Sequence, residues 1–188
     1  GGASVIMLEA APLEDCGGNS RYTAGLMRFV FNGVDDLAQV IPDLTEEEKK
    51  THDFGTYTSD QYYDDMGRIT QYRTDPDLCE LLITRSYDTI VWLRKKGVKF
   101  QASFGRQSHK IGNKYKFWGG LAAETWGGGQ GLVENEHKAC EREGIRIFYE
   151  TPAVALLTDD DGAVCGVLTR MISRRQKMLT PRRWRCTA

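Results

Sequence analysis

The chain has 188 residues, enough for one domain with a substantial core, and its 40% hydrophobic and 27% charged residues are ordinary for a globular protein. Its 25 basic and 26 acidic residues nearly cancel, but every acidic residue precedes Met171 and six basic residues follow it. The net-acidic body argues against a nucleic-acid binder, and no apolar run is long enough to span a membrane.

The five cysteines are scattered, odd in number and without a Cys-x-x-Cys pair. This usage favours reduced thiols in the cytoplasm over a disulfide framework or a zinc site. His137 and Cys140 lie three residues apart on a predicted helix, which is the spacing of half a metal site. Because no second pair accompanies them, we expect no metal centre.

The N-terminal stretch opens with a short apolar run at residues 5–8, between glycine and Pro12. Such a run predicts a buried, central parallel strand. Glu9 then lies at the carboxyl end of the strand, where ligands bind in doubly wound sheets. Its carboxylate can accept hydrogen bonds from both hydroxyls of a ribose. A phosphate-binding glycine turn belongs about 20 residues before such an acid, so we expect the sequence to begin inside a nucleotide-binding unit.

Small and polar residues follow this strand. Glycines let backbone approach a pyrophosphate, Asn and Ser add donors, and a run of small residues lets a planar ring lie against backbone. The candidates are Gly17, Gly18, Asn19, Ser20, Thr23, Ala24 and Gly25. An ordinary strand followed by a glycine turn remains open as the alternative interpretation of each piece.

The middle of the chain predicts helices and one long loop. Short helices are expected at residues 35–41, from Thr45 and at residues 59–69, and Asp75-Pro76 begins a long helix that Gly97 ends. Residues 101–130 are predicted to be an ordered loop that lines a site, because disordered segments seldom carry so many aromatic residues.

The C-terminal half predicts a helix and a hairpin. The sequence Gly-Gly-Gly-Gln-Gly at residues 127–131 opens a helix over residues 132–143, and a helix start of this kind can bind an anion. A strand is expected at residues 145–149. Residues 153–158 should then pair in antiparallel fashion with residues 163–168 across an Asp-Asp-Asp-Gly turn.

Residues 8–25 and 127–167 carry a resemblance to a known family. Together they are similar to the fumarate reductase and succinate dehydrogenase flavoprotein family, and most similar to its tricarballylate dehydrogenase branch. The resemblance covers roughly residues 1–168. It implies an α/β fold, namely a truncated Rossmann-like FAD-binding domain with a helical insertion and a β-hairpin, spanning residues 1–170.

The resemblance also implies roles for individual residues. FAD is the cofactor, Glu9 holds its ribose, and residues 17–20 and 23–25 contact its pyrophosphate and flavin. The Val154 backbone contacts the adenine ring, and the segment with Gly128, Gly129 and Gly131 lies beside the flavin and the substrate carboxylates. The implied reaction is hydride transfer between flavin and a small polycarboxylate, either a tricarboxylate or a dicarboxylate, with electrons passing to a partner protein. The catalytic residues are unknown, since the family carries them beyond this stretch.

The resemblance stops after Leu168, and the basic segment 171–188 predicts a disordered tail or an out-of-frame end. We expect the chain on its own to bind FAD weakly or not at all, to aggregate, and to lack dehydrogenase activity. The alternative function is a non-catalytic nucleotide-binding module, or a degenerate fragment with no activity.

Overall fold

A computed structural model describes residues 3–171 and 180–185, and the chain divides into two compact units. After their place in the sequence, we call residues 1–21 with 137–188, the two ends of the chain, the outer unit and residues 22–136, its middle, the central unit. Two short 3-10 turns, Leu13–Asp15 and Gly18–Tyr22, accompany the helices and strands. In chain order the helices and strands are β1 (Ile6–Leu8), β2 (Leu26–Met27), α1 (Val34–Val40), α2 (Glu46–Thr51), β3 (His52–Asp53), α3 (Ser59–Thr70), α4 (Pro76–Lys95), β4 (Phe100–Ala102), α5 (Phe104–Gln107), β5 (Ser108–Ile111), β6 (Lys114–Phe117), β7 (Ala123–Thr125), α6 (Gly128–Arg142), β8 (Arg146–Phe148), β9 (Ala153–Thr158), β10 (Val164–Met171) and β11 (Thr180–Arg185).

In the outer unit, β1 pairs in parallel with β8, and Met7 lies opposite Ile147. The predicted parallel strand is therefore confirmed. Its predicted central and buried position is wrong for the residues that the structure describes. There β8 is the one strand beside β1, the side chains of β1 are half-buried, and Val5 stays 49% exposed. A strand with one neighbour leaves its second edge and part of its faces uncovered.

The second sheet of the outer unit contains the predicted hairpin, in which β9 and β10 pair in antiparallel fashion. Its turn is closed by Asp159, whose carboxylate accepts hydrogen bonds from the backbone N–H groups of Asp161 (3.1 Å) and Ala163 (2.9 Å). Beyond β10, we expected a tail without regular structure. Instead, β11 pairs with β10, while the rest of the predicted tail, residues 172–179 and 186–188, lies outside the described residues.

The central unit holds the main hydrophobic core. Two three-stranded sheets, β2-β7-β4 and β3-β6-β5, lie in this unit together with α1 to α5. Phe29, Phe31, Leu37 and Ile83 are almost completely buried at its centre. Burial of each such side chain contributes roughly 1.5–3 kcal/mol to folding.

Local helix signals are confirmed in this unit. At α2, the Thr45 hydroxyl accepts from the Glu48 N–H and the Glu48 carboxylate accepts from the Thr45 N–H, which is the predicted capping box. At α4, the Asp75 carboxylate caps the first turn by accepting from the N–H groups of Asp77 and Leu78, both at 3.0 Å. Among the described residues, no helix combines the length and apolar character needed to cross a bilayer.

The prediction of one long loop over residues 101–130 is wrong, because α5 and three strands lie within it. β5 and β6 form a hairpin around Gly112, which has a φ of 59°. β7 lies between β2 and β4. These strands are only three or four residues long. β5 and β6 pair with each other, whereas β7 depends on β2 and β4, which come earlier in the chain. α6 begins at Gly128 and not at the predicted Leu132.

Candidate functional site

The candidate residues fall into two groups, one in each unit, and Glu9 organises the outer group. One carboxylate oxygen accepts from the Ala11 N–H at 2.8 Å and the other from the Gly17 N–H at 3.0 Å. Partial burial raises the pKa of Glu9, but these backbone hydrogen bonds and the nearby His137 outweigh it and hold the pKa below its ordinary value. Glu9 is therefore an ionised acceptor at the end of β1, and each oxygen keeps a further lone pair.

Backbone pairing fixes the position of Glu9. Its N–H donates to the Phe148 carbonyl and its carbonyl accepts from the Thr151 N–H, both at 2.9 Å. The Ala11 carbonyl accepts from the Glu150 N–H at 3.1 Å. The parallel pairing of β1 with β8 thus continues past the strand end and places the carboxylate over the turn that leads to Gly17.

The glycine turn after Glu9 is open on one side. Gly17 and Gly18 have φ values of 99° and 51°, a region that favours glycine. A Cβ built on Gly18 would meet no atom within 4 Å. Asn19 and Ser20 are exposed. Protein packing does not explain the smallness of Gly18, so the space beside it remains available to a ligand.

The second group lies in the central unit, where Gly25 packs against the start of α6. A Cβ on Gly25 would lie 1.9 Å from the Thr125 hydroxyl oxygen and 3.0 Å from the Gly128 backbone. The Thr23 carbonyl accepts from the Gly129 N–H at 2.9 Å. The structure therefore brings predicted residues 23–25 together with Gly128 and Gly129, although about 100 residues separate them in sequence.

Gly131, predicted to lie beside the substrate, has a structural reason to be glycine. A Cβ there would lie 1.9 Å from the Trp126 carbonyl oxygen. The Gly131 N–H also donates to the Gly127 carbonyl at 3.1 Å, closing the first turn of α6. Its role in binding stays a prediction that this geometry does not test.

Val154, the predicted adenine contact, lies on β9 and is 47% exposed. β9 is the edge strand of its sheet among the described residues, since β10 is its one neighbour there. Its outer backbone groups can therefore hydrogen-bond to a planar base.

The structure gives His137 neighbours that the sequence did not indicate. Its Nδ1 lies 3.1 Å from the Tyr149 hydroxyl oxygen and 3.8 Å from the buried Cys16 Sγ. Burial raises the pKa of Tyr149, so its phenol stays protonated at neutral pH. Within the described parts of the chain, no group of three or more His, Cys, Asp or Glu side chains is arranged to hold a metal ion.

A charged cluster directly after β2 was also missed. Arg28 donates through Nη1 to the Tyr57 hydroxyl at 2.7 Å and to the Asp65 carboxylate. The Tyr57 hydroxyl donates to Asp65 at 2.8 Å, and Arg68 donates to the second Asp65 oxygen at 2.8 Å. We call these four residues the Arg28 cluster. Its only sequence signal was an arginine placed just beyond an apolar strand and a glycine turn.

The charge states of this cluster follow from its contacts. Burial, partly offset by the hydrogen bond from Arg28, raises the pKa of Tyr57 to about 12. Hydrogen bonds from Arg68 and Tyr57, together with the charge of Arg28, lower the pKa of Asp65. At neutral pH the cluster therefore holds two guanidinium groups, one carboxylate and a neutral phenol. One positive charge is left uncompensated within it.

Comparison with known protein families decides the class of this fold. Residues 1–183 match a family described as FAD binding domain. The chain belongs to this FAD-binding family. The cofactor of the family is FAD, and the mixed α/β architecture agrees with the predicted fold class.

Individual relatives have low sequence identity to this chain. The chain is 26% identical over 172 residues to a vinyl phenol reductase of Lactiplantibacillus plantarum, covering 89% of this chain and 29% of that protein. A flavocytochrome c3 fumarate reductase structure has a TM-score of 0.61 at 22% identity, covering 89% of this chain and 26% of that one.

A 3-ketosteroid-delta4-(5alpha)-dehydrogenase structure from Rhodococcus jostii has a TM-score of 0.60 at 19% identity, covering 98% of this chain and 39% of that one. These structures share the fold. The chain spans between about a quarter and two-fifths of the length of the relatives that it matches.

The residues present fit FAD in three observed ways. Glu9 is ionised and keeps lone pairs for ribose hydroxyls. The space beside Gly18 is open where a phosphate needs close backbone approach. β9 offers an unpaired edge within the described residues.

Proposed function

We propose that this chain is the FAD-holding part of an oxidoreductase similar to tricarballylate dehydrogenase, which transfers a hydride between flavin and a tricarboxylate or dicarboxylate. The observation that carries the cofactor assignment is the packing of residues 23–25 on the glycine-rich start of α6. This packing brings two predicted flavin-side segments together without any cofactor. The match to the FAD-binding family supports the same assignment.

Each group of residues would contact a different part of FAD. Glu9 would accept hydrogen bonds from the ribose, and the backbone at Gly17 and Gly18 would approach the pyrophosphate. The β9 backbone near Val154 would contact the adenine, and residues 23–25 would support the flavin ring. When bound, FAD supplies the group that accepts or donates the hydride, and the chain contributes binding and orientation.

The polycarboxylate substrate is the finer part of the proposal. It is supported by the uncompensated positive charge of the Arg28 cluster, because an anionic substrate needs cationic partners. The names of two relatives, the vinyl phenol reductase and the steroid dehydrogenase, refer to uncharged compounds. The substrate test must therefore include uncharged compounds.

The proposal also includes a redox partner and a cellular compartment. One structural relative is a flavocytochrome, and we propose that electrons pass between this flavin and a further redox group or partner protein. The four described cysteines form no disulfide, which supports a reducing compartment such as the cytoplasm.

The test is a titration of the purified chain with FAD, in which binding is measured by isothermal titration calorimetry and by quenching of flavin fluorescence. We expect saturable but weak binding with one site per chain. Tricarballylate and succinate should bind, whereas vinyl phenol and 4-androstene-3,17-dione should not. Absence of saturable FAD binding both in this chain and in a chain extended upstream by the expected strand and glycine turn would overturn the cofactor assignment. Binding of the uncharged compounds alone would overturn the substrate class.

A further inference from the structure

Among the described residues, the Arg28 guanidinium uses only Nη1 for hydrogen bonds to the protein. Nη1 donates to both Tyr57 and Asp65. Among the described residues, Nε and Nη2 have no hydrogen-bond partner, and neither is among the buried polar atoms that lack one. The side chain is 24% exposed. The edge formed by Nε and Nη2 is therefore accessible, and it is an edge that binds a carboxylate through two parallel hydrogen bonds.

The remaining cluster holds this edge in place. The buried Tyr57 ring lies under the Arg28 guanidinium, with 5.2 Å from the guanidinium carbon to the ring centroid. Asp65 fixes Nη1 from the side. Gly119 lies beside this edge, since a Cβ built on it would be in van der Waals contact with Nη2 at 3.8 Å. An orientation fixed in advance lowers the ordering cost of binding an anion.

The charge of the cluster favours an anion at that edge. Asp65 accepts from both Arg28 and Arg68, so one carboxylate faces two guanidinium groups. Tyr57 adds no charge at neutral pH.

Arg28 is close in sequence to residues 23–25, which are proposed to support the flavin. Arg28 follows Gly25 by three residues, through β2. At roughly 3.3 Å per extended residue, its Cα lies within about 10 Å of the Gly25 Cα. Arg28 is therefore a near neighbour, along the chain, of the residues proposed to support the flavin.

We infer that Arg28 is a substrate-binding residue whose Nε–Nη2 edge holds a carboxylate of the substrate, and that Tyr57 and Asp65 are positioning residues for it. This inference rests on the proposed function, and it names the group within this chain that recognises the substrate's carboxylate.

The matched variants are Arg28→Gln and Arg68→Gln. Each removes one positive charge from Asp65, but only the first removes the accessible edge. Tricarballylate binding to the chain without FAD is measured by calorimetry, with circular dichroism to monitor the fold. We expect Arg28→Gln to weaken binding roughly tenfold or more, and Arg68→Gln to weaken it no more than about threefold. Arg28→Lys, which keeps the charge without the fork, should resemble Arg28→Gln.

An NMR measurement on the unmodified chain keeps the test independent of folding defects. The Arg28 Nε–H resonance should shift on addition of tricarballylate, and should not shift with the uncharged triamide of the same skeleton. Equal loss of binding in Arg28→Gln and Arg68→Gln, an unmoved Nε–H resonance, or equally tight binding of sulfate would each overturn the inference. The FAD titration of Arg28→Gln reads the proposed function separately and should match that of the unmodified chain.

Discussion

Gly25 and Gly18 lack a side chain for different physical reasons. In the central unit, Gly25 is buried and its absent Cβ is replaced by Thr125 and by the Gly128 backbone. In the outer unit, Gly18 is exposed and a Cβ there would meet open space. The fold itself requires glycine at the first site. At the second site only the backbone conformation or a ligand requires it, and the two sites should therefore respond differently to the same substitution.

The largest expected effect is on stability, for Gly25→Ala. The added Cβ would lie 1.9 Å from the Thr125 hydroxyl oxygen at a residue with a φ of 75°. Overpacking and backbone strain together should cost roughly 3–5 kcal/mol in the free energy of unfolding. Gly18→Ala, the control, carries only the backbone strain and should cost about 1 kcal/mol. Urea unfolding measures both, and equal costs would contradict the distinction.

At the outer site, the expected effect of a substitution is on the affinity for the cofactor. In a chain extended upstream by the expected strand and glycine turn, Glu9→Ala should weaken FAD binding by roughly 2–4 kcal/mol, because charge-assisted hydrogen bonds to the ribose are lost. Asp15→Ala, which removes an exposed carboxylate from the same turn region, should leave the affinity unchanged. Calorimetry with FAD measures both variants. Unchanged affinity in Glu9→Ala would remove Glu9 from the site.

A smaller effect is expected in the Arg28 cluster. Tyr57 is 3% exposed and its hydroxyl links Arg28 to Asp65. Tyr57→Phe should therefore destabilise the protein by about 1–2 kcal/mol. Tyr72→Phe, at a residue that is 86% exposed, should change the free energy of unfolding by less than about 0.5 kcal/mol. A larger loss for Tyr72 than for Tyr57 in urea unfolding would refute this assignment.

The smallest effect is a pH dependence of stability at Glu9. Its pKa in the folded chain lies below the ordinary value of 4.5, so the unfolded chain binds the proton more readily. Its stabilising contribution is complete above pH 4.5 and is lost as the pH falls through the folded pKa. Replacing Glu9 with Gln should make the decline in stability below pH 4.5 less steep. An unaltered acid limb in urea unfolding between pH 3 and 7 would contradict the role of its backbone hydrogen bonds.

Local signals explain what could be predicted from the sequence. The capping residues Thr45 and Asp75 act on atoms two or three positions away, and Asp159 closes its turn by accepting from residues two and four positions away. The strand before Glu9 and the hairpin of β9 and β10 were recognisable from short apolar runs and their flanking turns. Each of these predictions depends on neighbours in sequence, and the structure confirms the elements.

The remaining features depend on contacts between distant residues. Residues 123–125 form a strand because β2 and β4 lie on either side, and no local pattern marks it. Arg28 acquires its orientation from Asp65, 37 residues later. Gly25 and Gly128 were predicted separately, and only the structure shows that they touch. Pairwise contacts of this kind are absent from composition and periodicity.

The most direct test of the central claim is an amide NMR titration of the chain with FAD and with its two halves. FAD should shift the amides of residues 17–20 and of residues 23–25 with one common dissociation constant. AMP should shift only the outer group together with β9, and FMN should shift only the central group. This result would show that both groups contact the cofactor. Shifts confined to one group in the FAD titration would contradict the account.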